Sequence, residues 1–138
     1  MITPFIHFPG KCVEAIQLYE RAFKVTDKQV MLFQEAPDNS GMTITSEMSN
    51  LVLHATLTIC GTIFNMSDTV DTHDAGNMLG FNVMMDSEAE FYTAFDVLSK
   101  EGEVLQEIGP QFFSKLYAVL ADSFGIRWQI ILVLPYVD

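Results

Sequence analysis

The chain has 138 residues, 49% of them apolar and 18% charged, which makes it a globular domain rather than a disordered or fibrous segment. A domain of this size buries roughly two-thirds of its unfolded surface, so its core needs no disulfide or structural metal. Net charge is −11, and the 7 basic residues (Lys11, Arg21, Lys24, Lys28, Lys100, Lys115 and Arg127) are scattered. That argues against nucleic acid as a partner, and against a strongly anionic ligand unless Arg127 or a lysine is placed to meet it.

Ile2 to Phe8 reads as a strand that Pro9-Gly10 breaks. Val13 to Phe23 reads as a helix, because Ala15, Leu18, Tyr19, Ala22 and Phe23 share one face. Val25 to Gln34 is strand-like, and Pro37 to Gly41 is a turn cluster. Leu51 to Ile59 alternates: Leu51, Leu53, Ala55, Leu57 and Ile59 fall on one face, Val52, His54, Thr56 and Thr58 on the other. Gly61 turns the chain into a further strand, Thr62 to Met66.

Ser67 to Asn77 is polar and reads as a connection, after which the order restarts. Met78 to Met85 is a strand, and Asp86-Ser87 caps a helix with Glu88 and Glu90 in its first turn. Phe91, Ala94, Phe95 and Leu98 form its buried stripe, and Gly102 marks its end. Glu103 to Glu107 reads as strand, Gly109-Pro110 as a break, and Lys115 to Ala121 and Gly125 to Leu134 as the last strands. The pattern therefore repeats at an offset of about 70–75 residues, as strand, helix and three strands in each half, with slight residue identity. The expected division of the single domain is a first module over about 1–67, a linker over about 68–77 and a second module over about 78–138.

Cys12 and Cys60 form no CxxC pair. Cys60 is expected to be a buried small hydrophobe, and Cys12 to be exposed near a helix start, where a thiol pKa can fall. No basic and apolar leader opens the chain, and no apolar run reaches the roughly 18 residues that span a bilayer, so a cytoplasmic protein with reduced thiols is expected. The 11 Phe and 8 Met fill the core, or in part line an adaptable apolar pocket.

Three segments carry a family resemblance. Phe8-Pro9-Gly10-Lys11-Cys12-Val13-Glu14-Ala15 with Tyr19 and Phe23 resembles the opening of PhnB-like proteins, of the glyoxalase, bleomycin-resistance and extradiol-dioxygenase (vicinal oxygen chelate) superfamily. His54-Ala55-Thr56-Leu57 with Gly61 and Ser67-Asp68 resembles the middle of those proteins, and Asp122-Ser123-Phe124-Gly125-Ile126-Arg127-Trp128-Gln129-Ile130 resembles their ending. The chain departs from the pattern at Phe113, near a usual Trp, and at Ala118, a usual Gly. The resemblance implies an α+β fold of two βαβββ modules, whose mixed sheets curl into a cup with helices outside. It also implies a homodimer. The same family carries a methyltransferase label, but the chain has no Gly-rich strand-to-helix turn to seat a nucleotide-like cofactor.

Metal-dependent relatives hold a divalent ion through His, Glu or Gln on the first and last strands of each module. The matching positions here fall near Thr3 or Pro4, near Asn65, near Leu79 and at Gln129. A slip of the alignment would bring His7 into the place of Pro4. Pro and Leu cannot ligate, and amides are weak donors for most protein metals. Asp68, Asp71, His73 and Asp74 match no established cation loop and read as solvated linker. No metal site and no cofactor are expected, and a divalent ion is disfavoured.

Four residues remain as ligand-binding candidates. If the apolar face of Leu51 to Ile59 packs under the helices, His54 faces the cup. Alternation sends Arg127 and Gln129 there as well and Trp128 into the core, with Asn65 nearby. His54 is a titratable base near neutral pH and the catalytic candidate. Two functions follow. One is a metal-independent protein that binds a small molecule. The alternative is an enzyme, metal-assisted or using His54 as general base, acting on a small carbonyl or aromatic compound as a lyase, isomerase or dioxygenase.

Overall fold

The computed structural model describes residues 1–71 and 73–133. The elements run β1 (Phe5–Pro9), α1 (Cys12–Ala22), β2 (Val25–Leu32), β3 (Val52–Ile59) and β4 (Thr62–Thr69), then β5 (Gly80–Met85), α2 (Glu88–Ser99), β6 (Glu103–Gln111), β7 (Ser114–Ala121) and β8 (Arg127–Leu132). This is the repeated βαβββ order that the sequence implies. The sheet orders match as well, β1-β4-β3-β2 and β5-β8-β7-β6. In each sheet the first and last strands pair in parallel and the other neighbours antiparallel.

The chain forms two compact units. One comprises Met1–Glu20 and Lys24–His73; the other comprises Arg21–Phe23 and the described residues from Asp74 onward. The α+β two-module fold thus stands. Residues 33–51 connect β2 to β3, with short 3-10 turns at Phe33–Glu35 and Asp38–Ser40, whereas only Phe112 and Phe113 connect β6 to β7. No helix among the described residues is long and apolar enough to cross a membrane.

Each sheet has one covered face and one open face. In the first unit Phe8, Ala55, Leu57, Ile59, Phe64 and Met66 are buried, as strict alternation requires. Val52 breaks the pattern: it has the parity of His54 yet is fully buried, beside a register shift between Met31 and Leu32. In the second unit Val83, Met85, Ala118, Leu120, Trp128, Ile130 and Leu132 are buried, and α2 packs across β5, β7 and β8 through Phe91, Ala94 and Leu98. Phe23 and Phe81 flank Trp128, with ring centroids at 4.9 and 5.3 Å.

Several expectations need correction. Gly109-Pro110 does not break the chain. β6 runs on to Gln111, because it is an edge strand whose register shifts absorb a proline that cannot donate to a ladder. The helix α2 ends at Ser99, three residues ahead of Gly102, and Lys100 follows in right-handed helical geometry. The last strand ends at Leu132, and Leu134 lies outside the described residues. The polar connection begins later than expected, because β4 continues through Ser67 and Asp68 to Thr69.

Candidate functional site

On the open face of the first sheet, register places Phe5 opposite Asn65, His7 opposite Ser67, Thr56 opposite Asn65, and Met31 opposite His54. Residues directly opposite one another project from the same face. Phe5, His7, His54, Thr56, Asn65 and Ser67 therefore share a face that the helix does not fill. His54, His7 and Phe5 are exposed there, Phe5 at 48%.

The central contact is His54 Nε2 to Asn65 Oδ1, at 3.2 Å. The Asn65 amide is oriented by its other end, where Nδ2 donates to Thr3 Oγ1 at 2.8 Å and to the Pro4 carbonyl at 3.2 Å. A carbonyl can only accept, so the NH2 must face Pro4 and the amide oxygen must face His54. His54 then carries its proton on Nε2, and Nδ1 is its basic nitrogen. Phe5 touches both imidazoles, stacked on His7 with centroids 4.5 Å apart and tilted against His54 at 5.8 Å. His7 Nδ1 and Ser67 Oγ lie 3.1 Å apart, and the His73 ring lies 6.2 Å from that of His7.

On the open face of the second sheet, Gly80 stands opposite Arg127 and Arg127 opposite Ala121; Asn82 stands opposite Gln129 and Gln129 opposite Val119. Met84 stands opposite Ile131, and Ile131 opposite Tyr117. Arg127 and Gln129 are half-buried while Trp128 between them is 1% exposed, as the expected alternation has it.

In the second unit, register places Asn82 on β5 opposite Gln129. Leu79 lies before β5, 83% exposed, and is not the partner of Gln129. Phe5 and Ser67 were not among the candidates, and His7 entered only as a replacement for Pro4. The parity of β1 carried the signal, since Ile6 and Phe8 alternate with Phe5 and His7.

The cysteines exchange their expected places. Cys60 is exposed, at φ 47° beside Gly61 at φ 92°, in the tight turn joining β3 to β4. Cys12 is fully buried, and its thiol is pushed up to about 12 by burial and by the Asp68 carboxylate. Such a thiol is no nucleophile near neutral pH. Asp68 is not solvated linker either. It is 5% exposed and accepts from the backbone N–H groups of Cys12 and Val52, each at 2.8 Å.

A family model described as 3-demethylubiquinone-9 3-methyltransferase matches residues 1–131. The chain belongs to this PhnB-like family. It is 26% identical over 137 residues to the protein YjdN of Escherichia coli, covering 94% of this chain and 92% of that one. A PhnB protein from Bacillus cereus is similar in structure, with TM-score 0.75, 28% identity and coverage of 96% and 98%. A glyoxalase/bleomycin resistance protein/dioxygenase family enzyme from Burkholderia phytofirmans shares the fold, with TM-score 0.60, 14% identity and coverage of 94% and 97%.

For a PhnB-like chain the metal of the wider superfamily needs a direct test of fit. The first-unit positions are Thr3 or Pro4 and Asn65, and they hydrogen-bond to each other. In the second unit Gln129 stands opposite Asn82, again an amide. Among the described residues no group of three or more His, Cys, Asp or Glu side chains is placed to hold a metal ion. The Thr3 hydroxyl and Asn65 amide, already engaged with one another, and the neutral amides of Asn82 and Gln129 are poor donors for a divalent ion. These residues do not fit the metal.

Proposed function

We propose that this PhnB-like protein is a metal-independent small-molecule binding protein, with His54 and Asn65 on the open face of the first unit, and Arg127 and Gln129 on that of the second, as the candidate ligand-binding residues. One observation carries the reading. Asn65, near a metal-ligand position that the resemblance implies, has its amide nitrogen on Thr3 and Pro4 and its oxygen on His54. The face is thereby arranged as a hydrogen-bonding surface beside an exposed aromatic ring, rather than as a cage for a cation. Methyl transfer, named in the family's description, gains no support from the strand-to-helix junctions. The Cys12 N–H at the start of α1 is engaged by Asp68, and the Glu90 N–H in the first turn of α2 by Ser87 Oγ.

A thermal-shift screen of small aromatic and carbonyl compounds, run with and without EDTA, tests the reading. The expected hit raises the melting temperature equally in both conditions and is recovered unchanged. A shift that EDTA abolishes, or a compound that is converted, contradicts it.

A second reading rests on the His54 tautomer. With Nε2–H held by Asn65, Nδ1 is an oriented base next to Phe5, suited to proton abstraction from a carbonyl compound. Turnover that survives unchanged in His54→Ala removes that reading. A homodimer is also part of the proposal. What supports it is the exposure of Met1, Ile2, Met78 and Leu79 (106%, 99%, 94% and 83%) ahead of the two parallel edge strands. Light scattering at low concentration should give twice the 15.5 kDa chain mass; the chain mass itself would overturn it.

A further inference from the structure

The open face of the second sheet is graded along its length. At one end stands Arg127, whose neighbours in register are Gly80 and Ala121, both too small to cover a guanidinium. A Cβ built on Gly80 would lie 3.4 Å from that of Arg127, in ordinary contact, so the glycine itself puts no side chain against the arginine stem. Two residues along come Gln129, Asn82 and Val119. Two further along come Ile131, Met84 and Tyr117, with Met84 70% exposed. The Phe113 ring, 50% exposed, meets that of Tyr117 edge-on at 5.1 Å. Cation, amides and an aromatic-aliphatic end thus follow one another over about 13 Å of strand.

The charge state of Arg127 is the second observation. The protein carries 18 acidic residues and a net charge of −11. Even so, among the described residues Arg127 pairs with no carboxylate, while Lys28 pairs with Glu20 and Lys115 with Glu88. Glu103 stands opposite Ala121, one strand further on, and forms no ion pair with Arg127. A half-buried guanidinium with no ion-pair partner among the described residues presents a fork suited to a carboxylate from outside.

We propose that this face binds a small amphipathic carboxylate. Its anionic group meets Arg127, its polar middle meets Asn82 and Gln129, and its aromatic or acyl body lies on Ile131, Met84 and Tyr117. The proposal rests on the binding reading above and names the ligand class for it. Because the global field of the protein repels anions, a preference for the anion must come from a local contact.

The test uses two probes of nearly equal shape, biphenyl-4-carboxylate and its neutral counterpart biphenyl-4-carboxamide, titrated into the full chain and followed by NMR shifts. The expected result is a preference of about tenfold or more for the carboxylate, lost in Arg127→Gln. The carboxamide should bind that variant as it binds the parent. Arg127→Lys should retain part of the preference, and Lys100→Gln, a cation removed from an exposed helix end, all of it. Tyr117→Ala should weaken both probes. Equal affinity for the two probes, or a preference that survives in Arg127→Gln, overturns the proposal and leaves the binding reading intact. No binding of either probe overturns both.

Discussion

The indole Nε1–H of Trp128 donates to Oδ2 of Asp122 at 2.9 Å, while the other oxygen of that carboxylate accepts from the backbone N–H groups of Phe124 and Ile126 at 2.9 and 3.1 Å. Gly125, at φ 84°, lets the turn close between them. The run Asp122 to Trp128 is therefore a structural clasp. It ties the start of β8 to the core through a carboxylate that is 4% exposed and an indole that is 1% exposed. Its residues mark the fold, and Arg127 and Gln129, which project from the open face of the second sheet, follow directly from it.

Replacing Asp122 by Ala leaves the buried indole N–H and two turn amides without this acceptor. The expected cost is about 3 kcal/mol in urea unfolding, with the slope unchanged. A loss below about 0.5 kcal/mol, ordinary for an exposed substitution, would show that the clasp is not under tension from burial.

Gly102 makes a second prediction. A Cβ there would meet the carbonyl oxygens of Ala121 and Leu98 and approach Asp122 Cα to 3.1 Å. Those neighbours are backbone and cannot rotate away. Gly102→Ala should destabilise by about 2–4 kcal/mol, although Ala is otherwise the better residue near a helix end. A stability equal to or above the parent would contradict the close approach.

The elements were legible because period decides them. Ala15, Tyr19 and Ala22 on α1, and Trp128, Ile130 and Leu132 on β8, are buried where spacing puts them. Ser87 caps α2 through its Oγ as its type suggests. Position across the fold was not legible. Asp68 sits in a polar stretch, and only the folded chain brings the N–H groups of Cys12 and Val52 to its oxygens. Cys12 and Cys60 exchanged environments for the same kind of reason. One lies under the helix start, and the other has a turn position that requires positive φ. Which residue of β5 stands opposite Gln129 depends on strand register, and a one-residue slip would turn its side chains to the other face.

The raised Cys12 thiol gives a pH dependence with a definite sign. The unfolded thiol ionises near 9.0 and the folded one near about 12, through burial first and Asp68 second. Above pH 9 the unfolded state loses a proton that the folded state keeps. The stability is thus fully present below 9.0 and is lost as pH rises toward 12. Cys12→Ala removes this contribution, so the stability difference between parent and variant should shift by about 1.4 kcal/mol per pH unit within that window. A difference constant across the window would contradict the assignment. In the same protein at pH 8, iodoacetamide should label Cys60 and spare Cys12 until the chain unfolds.

The Asn65 amide predicts the tautomer of His54. Nitrogen-15 NMR of the imidazole should show the proton on Nε2 in the neutral parent, and Asn65→Leu should release this preference. A proton on Nδ1 in the parent would reverse the orientation of the amide and remove the oriented base.

Asn65 is satisfied by Thr3, Pro4 and His54, so the proposed role of this face is a hydrogen-bonded binding surface rather than a metal site. Elemental analysis of protein purified without a metal-binding tag is the sharpest test. Only substoichiometric divalent metal is expected, unchanged between the parent and Asn65→Leu. One divalent ion per chain, lost in that variant, would contradict it.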